Sequence, residues 1–171
     1  MENLLKTSTK GFTLVELLVA LVVMAILVAI AAPAFQNLIK GQRLKAVVET
    51  TLSDLQVART EALTLGLSGT VTVTFNEGVS WNYTIVSSGS TPTVARTYND
   101  YGGGVTAAVT GWNKAGGTAA FTITTVRSLD AAGTGSITFT LGSLSAKIER
   151  NLLGGVFVCS PNGDLGYRTC S

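Results

Sequence analysis

The first eleven residues are polar and carry Lys6 and Lys10 against one acid, Glu2. After Phe12-Thr13-Leu14-Val15-Glu16 comes Leu17 to Ile39, a run of 23 residues without a charge. About 20 residues of helix cross a hydrocarbon core, so this run is long enough to span a membrane. Beyond it the pattern turns amphipathic. Leu44, Val48, Leu52, Leu55 and Ala62 recur at helical spacing, with Lys45, Glu49, Asp54, Arg59 and Glu61 at other positions. The spacing predicts a second helical half over residues 40–66 whose apolar stripe packs on the rest of the chain. Gly66 and Gly69 read as its stop, and Arg59 and Glu61 as part of a solvated face.

From Thr70 onward the apolar residues come in short alternating runs. Thr70–Phe75, Trp81–Ser87, Thr93–Thr97, Ala119–Val126, Ser136–Leu141 and Val156–Cys159 read as strands. Asn76-Glu77-Gly78, Ser88-Gly89-Ser90, Gly102-Gly103-Gly104, Gly116-Gly117 and Gly133-Thr134-Gly135 read as the turns between them. Many short strands after one long helix predict an α+β chain. A membrane-spanning and then amphipathic helix packs on an antiparallel, sandwich-like β domain over residues 70–171. No repeat and no further boundary interrupts that domain. The glycine triplet lacks the strand–GxxxxGK[ST]–helix setting of a phosphate loop. Trp81, Tyr83, Tyr98, Tyr101 and Trp112 are expected in the core rather than in a contact patch.

Composition narrows the chemistry. Only 13% of residues are charged and mean hydropathy is +0.41; an average soluble domain has about 25% charged residues. The formal charge of +2 is too small to argue for a nucleic-acid partner by itself. Histidine is absent, which removes the commonest general base and the commonest transition-metal ligand. There is no paired-carboxylate motif, so no catalytic residue, metal ligand or cofactor site is expected. Two cysteines, Cys159 and Cys170, allow one disulfide and no Cys-rich metal site.

Three readings compete for the N-terminal stretch. A cleaved secretory signal has a shorter apolar region and a small-residue cleavage site. Ala31-Ala32 before Pro33 imitates that site only loosely. A plain signal anchor accounts for the length. Its leader lysines put the N-terminus in the cytoplasm by the positive-inside rule. It gives no reason for Glu16, one turn inside the apolar segment, where an unpaired carboxylate costs several kcal/mol. The third reading does. Gly11-Phe12-Thr13-Leu14-Val15-Glu16, after a basic leader and before a long apolar run containing Pro33, resembles the class III signal of type IV pilins, pseudopilins and their relatives.

The resemblance implies that residues 1–11 are a leader removed by a prepilin peptidase. The cut falls between Gly11 and Phe12, and the new amino group of Phe12 is methylated. It implies that residues 12–39 first anchor the subunit and later line a filament core. There Glu16 pairs with the α-amino group of a neighbouring subunit, and Pro33 is the family's helix-kinking proline. Leu55-Gln56-Val57-Ala58-Arg59-Thr60-Glu61-Ala62 followed by a Val-rich strand is similar to the GspH/FimT/FimU branch of minor pilins and minor pseudopilins. Such a protein is a single-pass inner-membrane subunit with its globular domain in the periplasm, later part of a type IV pilus or a type II secretion pseudopilus. Its partners would be other pilins or pseudopilins, the prepilin peptidase, the inner-membrane assembly platform and, before assembly, membrane lipid. In that oxidising compartment a Cys159–Cys170 disulfide is the default.

A different class of function is carried by the same resemblance. Some FimT-like minor pilins bind DNA through a C-terminal Gly-Arg-x-Arg motif. Here Gly163-Asp164-Leu165-Gly166-Tyr167-Arg168 stands in its place, with one arginine and an added acid. Lys147, Arg150 and Arg168 are the candidate DNA contacts, and three cations give a shallow salt dependence and weak binding.

Overall fold

A computed structural model describes residues 11–65, 69–88, 93–101, 103–124, 134–151 and 155–170. One helix, α1 (Leu14–Thr64), runs through two compact units, the first ending at Leu38 and the second spanning Ile39–Ser171. In the first unit the described residues are all exposed. In the second, Leu44, Val47, Val48, Leu55, Ala58 and Ala62 are buried. This is the predicted stripe with Val47 and Ala58 added and Leu52 half-buried at its margin. α1 ends at Thr64 rather than 66, and Gly66 lies outside the described residues.

Among the described residues eight strands follow: β1 (Thr70–Asn76), β2 (Asn82–Ser87), β3 (Val94–Thr97), β4 (Thr106–Gly111), β5 (Thr118–Thr124), β6 (Gly135–Leu141), β7 (Leu144–Arg150) and β8 (Val156–Cys159). They form two four-stranded sheets, ordered β3-β2-β1-β5 and β4-β6-β7-β8, with every pair antiparallel. In β1 and β2 alternate residues point inward. Val71, Val73 and Phe75 lie beside Ser87, Ile85 and Tyr83 in register, all buried. The expected α+β architecture is present, with β4 and β7 as strands that the alternation of the sequence does not announce.

Aromatic side chains join the layers. Phe75 stacks on Trp81 and Tyr83 at centroid distances of 6.1 and 5.6 Å. From the other sheet Phe139 meets Phe75 and Trp81 edge-on at 6.1 and 5.3 Å. Burying a ring of this size contributes about 2–3 kcal/mol. The Trp81 Nε1–H donates to the Val105 carbonyl at 3.0 Å, so its polar edge is satisfied. Trp81, Tyr83 and Trp112 are in the core, and half-buried Tyr98 and Tyr101 pack against it.

Polar groups stitch the sheets at one corner. Glu77, in the β1–β2 turn, accepts from Val109 N at 2.9 Å and from Lys114 Nζ at 2.7 Å. Gly78 and Ala107 exchange backbone hydrogen bonds of 2.8 and 3.1 Å. The lysine and the backbone donor hold the Glu77 carboxyl below the usual carboxylate range. At a second corner Trp112 adopts a positive φ of 55° and lies 4.5 Å from the Phe121 ring. A side chain on Gly135 would overlap the Trp112 indole, so this strand start admits glycine alone.

Candidate functional site

The start of α1 is built by its own sequence. Thr13 precedes the first helical residue, and its Oγ1 accepts from Glu16 N at 3.2 Å. Thr13-Leu14-Val15-Glu16 has the Thr-x-x-Glu spacing of a capping box, of which the Thr13 half is formed and satisfies one donor of the first turn. Glu16 also lies in the first turn, at the positive end of the helix dipole. Glu16 therefore has a local role beside any pairing role, one that a charge-in-membrane argument overlooks. Gly11 and Phe12 precede the helix. A Cβ on Gly11 would meet nothing within 4 Å. Among the described residues no contact requires glycine there.

From Phe12 to Ile39 the large apolar side chains are exposed, Phe12 at 84% and Ile30 at 70%. Each would gain about 1.5–3 kcal/mol by leaving water. A surface of this extent marks a membrane or a partner interface, and α1 is long and apolar enough to cross a membrane. Pro33 lies inside α1 and cannot donate to the Ala29 carbonyl one turn back, which leaves that acceptor open.

Within the second unit α1 is pinned to sheet β3-β2-β1-β5 by a polar cluster. Asp54 is buried, and its Oδ2 accepts from Tyr83 Oη at 2.8 Å and from Arg96 Nε at 3.0 Å. Burial, reinforced by the Asp54 carboxylate, pushes the Tyr83 hydroxyl far up, and the hydrogen bond to Asp54 raises Arg96 further. One turn from the helix end, half-buried Glu61 accepts from the Ser87 hydroxyl. This corrects the solvated reading of Glu61, which anchors α1 to β2, whereas Arg59 is exposed as expected.

Cys159, at the end of β8, is bonded to Cys170, with Cα atoms 5.0 Å apart. Glu149 lies beside the two sulfurs. Both are consumed by the disulfide, so this trio offers no thiolate to a metal. The loop the disulfide closes rests on α1. Tyr167 Oη donates to Glu49 Oε1 at 3.2 Å, Lys45 Nζ lies 5.8 Å from the Tyr167 ring centre, and Leu165 faces Gly41. Burial first, then the Glu49 charge, pushes the Tyr167 hydroxyl up to about 12. No sequence signal connects residues 118 positions apart.

The structure places Lys147, Arg150 and Arg168 in one region of the second sheet but not around one ring. Lys147, Arg150 and Phe157 line an open cleft of about 410 Å³, and the Arg168 guanidinium lies 4.7 Å from the Phe157 ring centre. Lys147 is ion-paired to Glu149 at 2.7 Å. Arg150 is 5% exposed and lies over Phe121 at 5.3 Å, while Arg168 is exposed.

Two family models match the chain. The prokaryotic N-terminal methylation motif matches residues 6–32, and the type II transport protein GspH matches residues 47–154. Neither a curated protein nor a solved structure matches it.

Proposed function

Because the chain belongs to the GspH family of type II transport proteins, we propose that it is a minor pilin or pseudopilin that helps assemble or prime a filament, either a type IV pilus or a type II secretion pseudopilus. The observation that carries this reading is the exposed apolar half of α1 opening on a capped Thr13-Leu14-Val15-Glu16 turn, inside the matched methylation motif. A structural subunit of this family is not an enzyme.

In this reading the leader lies in the cytoplasm, residues 12–39 cross the inner membrane and the β domain is periplasmic. A prepilin peptidase hydrolyses the Gly11–Phe12 peptide bond, and the freed amino group of Phe12 is methylated. The helix already starts at Leu14, so the cut lies in backbone outside it. A positive Phe12 amino group then stands at the positive end of the helix dipole, which is unfavourable. A carboxylate offsets this, and in a filament core Glu16 of an adjacent copy supplies it. A buried pair of this kind selects a register. Pro33 belongs to the same surface. Partners are other pilins or pseudopilins, the peptidase and an inner-membrane assembly platform.

Intact-mass analysis of protein extracted from cells with active prepilin peptidase tests the reading. The expected species begins at a methylated Phe12. A mature chain that retains Met1 to Gly11 overturns it. A second reading, DNA binding in uptake, rests on exposed Arg168 beside Phe157 and on Lys147 at the cleft, whereas Arg150 is buried over Phe121 and offers no phosphate contact. A salt titration of duplex binding tests it: two phosphate contacts predict a log–log slope of about −2, and no binding at low salt refutes it.

A further inference from the structure

The apolar run ends at Ile39, and the next six residues hold three cations, Lys40, Arg43 and Lys45. At about 1.5 Å per residue, Leu17 to Ile39 covers roughly 34 Å of helix, enough for a hydrocarbon core of about 30 Å. Residues 40–45 then occupy the next 8 Å or so, the depth of one headgroup layer. Successive residues turn by about 100°, so Arg43 and Lys45 fall on opposite sides of α1 and Lys40 on the side of buried Leu44. The cations surround the helix rather than forming a stripe. Lys40 and Arg43 are exposed. Among the described residues none of the three is in an ion pair.

Two observations set this collar apart from an ordinary solvated helix. The bias of lysine and arginine toward the cytoplasmic end disfavours cations at the far end of an anchor. Lys6 and Lys10 of the leader do not outnumber these three, so in the proposed topology the methylation motif rather than the lysine count sets the orientation. Second, the disulfide-closed loop reaches the same level: Leu165 faces Gly41, and the Tyr167 ring lies under Lys45. Tyrosine is enriched where a membrane meets water, and the Lys45 ammonium itself lies over the Tyr167 ring. Tyr167 occupies the nearby acid, Glu49, through its hydroxyl, which leaves the cations for another anion.

We propose that Lys40, Arg43 and Lys45, with Tyr167 of the disulfide-closed loop, form a collar that binds anionic phospholipid headgroups on the far face of the membrane before assembly. Extraction into a filament must break these contacts. The inference rests on the membrane-anchor reading and not on filament assembly.

The test uses the full chain in phosphatidylcholine bilayers containing a trace of spin-labelled phosphatidylglycerol or spin-labelled phosphatidylcholine. Electron paramagnetic resonance reads the motionally restricted fraction of each label. Each cation near an anionic surface contributes about a fivefold preference. Wild type is expected to restrict phosphatidylglycerol at least about fivefold more strongly at low salt, with the preference shrinking as salt rises. Combined Lys40→Gln, Arg43→Gln and Lys45→Gln should lower it about fivefold or more. Exposed Lys40→Gln alone should lower it less, and an Arg43→Lys variant should retain it. The leader lysines are common to all variants and cancel. Equal selectivity in wild type and the triple variant, or selectivity indifferent to salt, overturns the collar. A chain that restricts neither lipid refutes the anchor reading instead.

Discussion

Replacing Arg96 with Met keeps most of the aliphatic stem and removes the cation beside Asp54. Asp54 then retains the Tyr83 hydroxyl alone. Breaking one side of a fully buried pair costs about 3–5 kcal/mol, and breaking an exposed pair about 0–1. The Asp54 side chain is 12% exposed and that of Arg96 40%. Water therefore screens one partner and not the other, and a loss of about 1.5–2.5 kcal/mol follows. For a domain of this size each kcal/mol shifts Tm by about 3–5 °C, so the variant should melt about 5–12 °C below wild type. Near-ultraviolet circular dichroism of the full chain in detergent follows Trp81 and Tyr83 directly. The double variant Asp54→Asn, Arg96→Met should recover part of the loss, because no uncompensated carboxylate remains. A Tm for Arg96→Met within about 1 °C of wild type would show that the cluster does not pin α1 to the sheet.

Glu16→Ala should leave insertion and processing intact and deplete the protein from sheared filaments, because the Phe12 amino group loses its counter-charge at a cost of about 3–5 kcal/mol. The cap separates the two roles of this position: Thr13→Ala weakens the helix start by about 1 kcal/mol without touching the charge, so equal incorporation of Glu16→Ala and wild type removes the pairing role. Glu77 has its folded pKa depressed, so its contribution is present above the unfolded carboxylate range and is lost as pH falls through the folded value. Melting curves of wild type and Glu77→Gln should converge in acid and diverge toward neutrality; parallel curves refute the staple between the sheets. Thiol counting on unfolded periplasmic protein should find no free cysteine, and Cys159→Ser with Cys170→Ser should cost up to about 3 kcal/mol.

The N-terminal half was legible because its constraints are local. Run length and a charge at one spacing are stated by the sequence in order, whereas the Thr13 cap emerged only with the helix start. The β domain was legible where strands alternate, as in Val71, Val73 and Phe75 of β1. It was not legible in β7, where Lys147, Glu149 and Arg150 resemble a solvated helix face. There alternation resides in Ala146 and Ile148, whose inward direction depends on pairing with β6 and β8. Strand β4 hides in Ala107-Ala108 and Gly111, poor strand formers held by β6 and the Gly78 bridge. In the sequence Asp54 reads as a charge off the apolar stripe and Tyr83 as a core aromatic, and nothing marks Arg96. Their meeting, across 29 and 42 positions, is a property of the packed layers. Lys45 and Tyr167 were opaque for the same reason.

The contact between Gly135 and Trp112 bears on how this chain can drift. Any Cβ at 135 collides with the indole, and the indole is held at a positive φ on a neighbouring strand end. Neither position can change first without harm: a larger residue at 135 displaces the ring, and a smaller one at 112 opens a void beside Phe121. Divergent sequences should therefore show the pair exchanged together, a small residue at 112 accompanying a side chain at 135, and such a swap offers a compensated route for redesigning this corner of the domain.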